Sequence, residues 1–332
     1  MKIIAEYGND ELAKVYVAQF REHLTDKVTS GKLMVEFVES TQPPIPRDKK
    51  WVLIVSTMFG CPINCKFCDA GGAYAGRLSA DEILTQINYM VKRRFSDGKV
   101  PMPKFKIQFA RMGEPALNPA VLEAMSRLQQ LIDAPGLNVS MSSVAPSGGG
   151  TSEFFENLIK VKEQYYTRGR FQLQFSIHTT DCTKRDELIP VKKWSFEEIA
   201  AYGERFCMPE KGDKKVTLNF APISGFPIEA RVIRRHFDPS RFLIKLTPLN
   251  PTVRSYEESL HSRIDPSDKT TSHSIVEMFE REGYEVILSI GELEENRIGS
   301  NCGQFVQRAI HSGTRPRNSY EPEKYRAEID TS

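Results

Sequence analysis

The sequence predicts an α/β fold, a partial, open βα barrel of about six to seven parallel strands with a small N-terminal appendage. Two observations predict it. From Trp51 onward, short apolar runs alternate with amphipathic helical stretches, the order expected when each strand returns to its neighbour through a right-handed helical crossover. The residues able to do chemistry sit just past those apolar runs, at the strand ends where βα barrels build their sites.

The elements follow in order. Residues 1–50 are expected to form the appendage: a helical segment near Asp10 to Leu24, a strand-like GKLMVEFVES, and a linker TQPPIPRDKK whose prolines and charges interrupt any regular element. The barrel core is expected over 51–305. Its strands are WVLIVST (51–57), FKIQFA (105–110), LNVSMSS, FQLQFSIH (171–178), VTLNFAPI (216–223), FLIKLTPL (242–249) and YEVILSI (284–290). Between them, helices are expected after a Ser79/Glu82 capping box, over VLEAMSRLQQLI, FFENLIKVKEQYY and FEEIAAYGERF, around Ala230 to His236, and near Ser272 to Glu282. Residues 306–332 are polar and are expected to be a loosely held, flexible tail.

Composition narrows the function classes. The chain has 332 residues, 40% hydrophobic and 27% charged, which excludes a disordered chain. Forty-five basic residues against 43 acidic ones leave a net charge of +2, too little for a global field that draws in nucleic acid. No apolar run approaches the roughly 18–20 residues a membrane span requires, and the N-terminus turns acidic before a signal-peptide core can form. No membrane partner is expected, and the location expected is cytoplasmic.

Three of the six cysteines fall on one loop, Cys61-Pro-Ile-Asn-Cys65-Lys-Phe-Cys68, directly after the first core strand. That clustering points to metal rather than to disulfides. Three thiolates on a tight loop can hold three irons of a 4Fe-4S cluster and leave the fourth open for chemistry. The alternative is zinc, with a fourth ligand from Cys182 or Cys302.

In this context the triplet resembles the radical S-adenosylmethionine (SAM) superfamily. The strand-end motifs Met112-Gly113-Glu114-Pro115, Ser140-Met-Ser142-Ser143, Ser176-Ile-His178, Leu249-Asn250-Pro251 and Asn301-Cys302-Gly303-Gln304 are, in that order, similar to those of the RlmN/Cfr family of radical SAM RNA adenine methylases. The similarity runs from about Leu33 to Phe305. It implies a 4Fe-4S cluster on Cys61, Cys65 and Cys68, with SAM as second cofactor and a flavodoxin- or ferredoxin-type electron donor as partner. Gly113 and Glu114 are then expected to approach SAM, Glu114 accepting from its ammonium, while Ser142, Ser176 and Asn250 offer hydroxyl and amide partners at the barrel mouth. His178 would orient SAM or satisfy a backbone group.

The resemblance also implies a role for Cys302: it is methylated by one SAM and passes the carbon to an electron-poor sp2 carbon after a second SAM yields a radical. The substrate implied is RNA. The family's second cysteine, seven residues before the first cluster cysteine, resolves the covalent adduct; here that position is Ile54. Cys182, just past the fourth core strand, is the candidate substitute, and Cys207 is expected in the core. The family's longer N-terminal helical domain has no counterpart in the fifty residues before Trp51. Two other readings stay open. In one, a radical SAM enzyme abstracts hydrogen from a small molecule or peptide without methyl transfer; in the other, the chain is a non-catalytic iron-sulfur or zinc protein.

Overall fold

The computed structural model describes residues 1–21, 33–300, 305, 306 and 320. The chain opens with three strands, β1 (Lys2–Gly8), β2 (Ala13–Gln19) and β3 (Met34–Ser40), followed by the first core strand β4 (Lys50–Val55). Of the helix expected near Asp10 to Leu24, residues 22–24 lie outside the described residues, and Ala13–Gln19 is a strand. In AKVYVAQ the residues Val15, Tyr16, Val17 and Ala18 are all buried, and a β-branched run enclosed on both faces favours extended backbone over helix. These first strands run antiparallel to one another and pair with β4 through Val38 opposite Ile54. Residues 1–50 thus continue the same sheet as the core.

After β4, a two-residue strand β5 (Met58–Phe59) pairs with β6 (Gly76–Arg77), and helix α1 (Ala80–Arg94) starts on the expected capping box of Ser79 and Glu82. The chain then alternates through β7 (Lys104–Phe109), α2 (Ala120–Leu131), β8 (Leu137–Ser143), α3 (Thr151–Tyr165) and β9 (Phe171–Ser176). Two helices follow, α4 (Cys182–Leu188) and α5 (Phe196–Phe206). Then come β10 (Val216–Phe220), α6 (Ala230–His236), β11 (Phe242–Leu246), α7 (Val253–Glu257), α8 (His273–Arg281), β12 (Val286–Leu288) and α9 (Leu293–Ile298). The sheet order is β1-β2-β3-β4-β7-β8-β9-β10-β11-β12, and every pair from β4 to β12 is parallel. This is the expected mostly parallel α/β sheet with helical crossovers. α4, which the sequence reading did not separate, is a short helix capped by Asp181, whose carboxylate accepts from Lys184 N at 3.0 Å.

The strands divide their residues sharply. Trp51, Leu53 and Val55 face the helices with Phe105, Ile107, Phe109, Val139, Met141, Leu173, Phe175, Leu218 and Ile244, all nearly or fully buried in one apolar core. The alternate positions form the inner, lumen face: Lys104, Lys106 and Gln108 on β7, Asn138, Ser140 and Ser142 on β8, Gln172, Gln174 and Ser176 on β9. A strictly alternating pattern with a polar inner face leaves the lumen free for polar ligands. No helix among the described residues is long and apolar enough to cross a membrane.

Glu39 fixes the N-terminal strands to the barrel. Its fully buried carboxylate accepts from Tyr16 Oη at 2.5 Å, Trp51 Nε1 at 3.1 Å, Arg47 at 3.1 Å and the Arg94 guanidinium. One acid thereby joins β2, β3, β4 and α1. Substituting Glu39→Leu strands these donors in a dry site and is expected to cost about 3–5 kcal/mol in urea unfolding. Glu39→Gln, which keeps an acceptor, is expected to cost less. Equal losses would show that volume and not the donor set matters there.

Candidate functional site

The three cysteines sit on the loop between β5 and β6, at the C-terminal edge of β4. The β5–β6 ladder closes the loop's base, and Gly60 (φ +69°) turns the chain into it where a Cβ would lie 2.2 Å from Ala73 O. Inside the loop, Cys68 N donates to Cys65 O (3.2 Å) and Gly71 N to Cys68 O (3.1 Å). Long-range contacts hold it in place. Thr252 Oγ1 donates to Phe67 O at 2.9 Å, Lys66 N to Leu188 O at 3.0 Å, and Arg254 N to Asp69 at 3.1 Å, while the Arg254 guanidinium reaches Asn64 and Tyr320 Oη reaches Asp69.

All three thiols are half-buried. Burial pushes Cys61 up to about 12, against the N–H groups of Ile63, Asn64 and Gly113 that favour its thiolate. Cys65 is pushed well above the usual thiol range, first by burial and then by the charges of Cys68 and Cys61, so the thiols lie close enough to oppose one another's ionisation. Among the described residues no three His, Cys, Asp or Glu side chains are drawn into a closed ligand set. The donor chemistry nevertheless fits a group held by three soft ligands. Asp69, the nearest hard donor in sequence, is occupied by Tyr320 and two backbone N–H groups, and a cationic centre would offset the burial that disfavours the thiolates of Cys61 and Cys65.

The neighbouring residues build a mouth around this loop. Gly113 adopts φ +97°, and a Cβ there would meet Met58 Cβ at 2.6 Å and Thr57 Oγ1 at 2.7 Å, so only glycine lets the turn after β7 press against β5. Glu114 is buried. Its Oε1 accepts from Ser143 Oγ (2.6 Å) and Ala116 N (3.0 Å) and its Oε2 from Val144 N (3.0 Å); burial raises its carboxyl, and these donors oppose the rise. Ser143, next to the candidate Ser142, is the serine that touches it. Ser142 and Ser176 are half-buried at the ends of β8 and β9, and Asn250 is half-buried beyond β11. His178 is buried at φ +66°, Nδ1 accepting from Ala221 N at 3.1 Å and its ring 4.8 Å from that of Phe67 on the cysteine loop. The proton therefore sits on Nε2. Cys182 is exposed in the first turn of α4 and Cys207 is buried at the end of α5.

A second apolar cluster roofs the loop: Ile63, Val144, Leu188, Ile189, Ile223, Phe226 and Leu249 pack with Cys61, Cys65 and Phe67. These residues come from loops after β4, β8, β9, β10 and β11. Such a dry collar suits chemistry that water would quench.

Sequence reasoning missed the anchoring of the C-terminal segment. Arg111, just before the Met-Gly-Glu-Pro motif, donates to Gly299 O (2.7 Å), Ser300 O (3.1 Å) and Glu36 Oε2 (2.6 Å), and Glu36 Oε1 accepts from Val306 N at 2.6 Å. Phe305 stacks on Tyr7 with centroids 4.0 Å apart. Cys302 lies outside the described residues, as does most of the 306–332 tail, but Val306 and Tyr320 are buried. A buried acid on the N-terminal strand was the only available signal, because an isolated Glu36 between Val35 and Phe37 needs a partner.

Two outcomes follow from this geometry. Arg111→Met leaves Glu36 buried without its cation and is expected to cost about 3–5 kcal/mol and to speed proteolysis after Ile298, whereas the double variant with Glu36→Met loses less. Equal loss in both would reject the pair as the anchor. His178 is held neutral down to about 3 by burial and then by Arg185, while an unfolded histidine titrates near 6.5. As pH falls from 6.5 toward 3 only the unfolded chain gains that proton, so native stability should drop by about 1.4 kcal/mol per pH unit from this residue. A pH series of unfolding midpoints that His178→Gln leaves unchanged would contradict it.

No family model matches the chain. It is 28% identical over 216 residues to a probable dual-specificity RNA methyltransferase RlmN of Pseudothermotoga lettingae, covering 64% of this chain and 58% of that protein. The dual-specificity RNA methyltransferase RlmN of Wolinella succinogenes matches at 27% over 311 residues, 91% of this chain and 83% of that one. A probable RlmN of Desulfitobacterium hafniense matches at 32% over 62% of this chain and 56% of its own length. The chain thus spans less than two thirds of the first and third of these relatives. In fold it is similar to a radical SAM methyltransferase from Sphaerobacter thermophilus, with TM-score 0.66 and 19% identity over 87% of this chain and 76% of that one. The chain that carries this cysteine triplet is thus similar in sequence to RlmN methyltransferases and in fold to a radical SAM methyltransferase.

Proposed function

We propose that the chain is a radical SAM methylase. In this reading Cys61, Cys65 and Cys68 would hold a 4Fe-4S cluster, SAM would be the second cofactor, and Cys302 would carry a one-carbon unit to an sp2 carbon. An RNA adenine is the substrate class that the relatives' names suggest. When bound and reduced by a flavodoxin- or ferredoxin-type donor, the cluster supplies the cleavage of SAM to methionine and a 5′-deoxyadenosyl radical.

The observation that carries the reading is the three-thiol loop roofed by apolar side chains at the mouth of a polar lumen. Glu114 supports it. A carboxylate has about four acceptor sites, of which protein donors fill three, and no cation is among the groups that shift this buried acid. An ammonium at the remaining site of Oε2 would supply the missing charge. Gly113 brings its N–H to Cys61, and His178, with Nδ1 occupied, offers only a donor; in this reading Ser142, Ser176 and Asn250 meet ribose and adenine atoms.

One observation favours the reading in which hydrogen is abstracted without methyl transfer. Ile54 stands on β4 where the resemblance requires a resolving thiol, and an alkyl side chain cannot break a covalent adduct. Cys182, exposed in the first turn of α4, is the remaining candidate on this side of the barrel.

The test uses anaerobically purified protein with SAM and a low-potential reductant. Formation of 5′-deoxyadenosine that fails in Cys61→Ala, Cys65→Ala and Cys68→Ala is expected, together with an S-methyl group on the Cys302 peptide by mass spectrometry. Deoxyadenosine without S-methylation would leave the hydrogen-abstraction reading. Stoichiometric zinc and no iron would overturn both.

A further inference from the structure

The polar lumen contains a second concentration of chemistry, away from the thiols. Lys50 opens β4, and its Cα partner on the neighbouring strand is Lys104, which opens β7. Two residues further along β7, Lys106 pairs with Asn138 of β8, and Asn138 Oδ1 accepts from Lys214 Nζ at 3.1 Å. Lys245 reaches the same space from β11, the largest charged influence on Lys106 after burial, followed by Lys50, Lys214 and Lys104. Five ammonium groups from three strands and one preceding loop therefore gather on one face of the sheet, Lys104 at its exposed edge.

Among the described residues, no carboxylate pairs with Lys50, Lys104, Lys106 or Lys214 in the way surface lysines of this chain are paired. Lys50 donates to the Gln42 amide and Lys214 to Asn138. By contrast Lys215, one residue from Lys214, pairs with Glu285 outside the ring, at 3.7 Å. Burial and mutual repulsion push Lys106 down to about 7 and Lys50 to about 8. A protein gains nothing in stability from gathering like charges in a half-buried space, so a cluster of this kind is explained by an anion that enters it.

We propose that this lysine ring, on the lumen face below the cysteine loop, is a binding site for the phosphoryl group of a small phosphorylated ligand. Phosphate suits the ring because it carries up to two charges and several acceptor oxygens, each able to take an ammonium donor from a different strand. The groups lie on the inner face of strands spaced about 4.8 Å apart, a concave surface that admits a phosphoryl group and excludes a folded RNA helix. The ring lies toward the N-terminal ends of β4 and β7 while the thiols follow their C-terminal ends. At about 3.3 Å per residue, an anionic group held there would sit some 15–20 Å from the thiol loop, so the ligand would be elongated with its phosphate remote from the mouth. The proposal does not rest on the reading of Cys302.

Inorganic pyrophosphate and adenosine monophosphate serve as probes, in low-salt buffer, by calorimetric titration and thermal melting of the full chain. Both are expected to bind and to raise the melting temperature. Lys106→Gln and Lys104→Gln should each weaken binding about tenfold or more. Lys160→Gln, on the outer helix α3, controls for net charge and should leave binding unchanged. Because the first two variants relieve repulsion, their unliganded melting temperatures should match or exceed that of the parent, which separates lost binding from lost folding. No binding of either probe, equal affinity in the ring variants, or the same loss in Lys160→Gln would overturn the proposal. So would stabilisation by RNA alone.

Discussion

Much of this molecule depends on the buried pair of Glu36 and Arg111. Glu36 belongs to the N-terminal strand β3, Arg111 to the turn after β7, and beyond each other they hydrogen-bond to Gly299, Ser300 and Val306. Desolvation raises the Glu36 carboxyl, and the guanidinium and backbone donors offset that penalty only while all of them are present. The pair is therefore a geometric constraint more than a source of net stability. It holds the chain on both sides of residues 301–304 against the same turn that presents Gly113 and Glu114, so the N-terminal strands, the strand-end turn and the C-terminal segment share one buried electrostatic contact.

The cysteine loop obeys the same logic. Its own hydrogen bonds are few, and its position comes from residues far along the chain: Thr252 and Arg254 from the α7 region and Tyr320 from the C-terminal segment. Ordering it requires the parallel sheet to be complete through β11, since α7 follows that strand. A site assembled this way is rigid where its supports converge, and the apolar roof from five separate loops adds the low dielectric that strengthens each polar contact beneath it.

How much of this was legible in the sequence follows from how local each signal is. The capping boxes and apolar runs gave the strands and helices from β4 onward, because parallel strands buried on one face by helices read as short Val, Ile, Leu and Phe runs. LNVSMSS and Ala230 to His236 match β8 and α6 residue for residue. The N-terminal segment misled because AKVYVAQ carries no alternation: both of its faces are covered, and the polar residues flanking it imitate a helical repeat. The cysteine triplet was legible from spacing alone. Asp69, Thr252, Glu36 and Arg111 were not, since each acts through a partner separated by tens to hundreds of positions and none lies in a local pattern.

The inner face of the sheet explains why polar residues recur inside strands that otherwise look like core. A strand buried by helices on one side and by packed side chains on the other would read as continuously apolar, as in closed barrels with filled centres. Here Lys106, Gln108, Ser140, Gln172 and Gln174 interrupt the runs at every second position, and Ser140 Oγ is buried without a hydrogen-bond partner. Leaving that hydroxyl unmet costs about 1–3 kcal/mol, a cost that a filled apolar centre would have avoided with alanine or valine. The fold instead carries a row of amides and hydroxyls on the inner strand positions between the lysines and the thiol loop, groups that can donate or accept. Its stability resides on the helix-facing side, in Trp51, Phe105, Phe109 and Phe175, which leaves the inner face to be chosen by what it must bind.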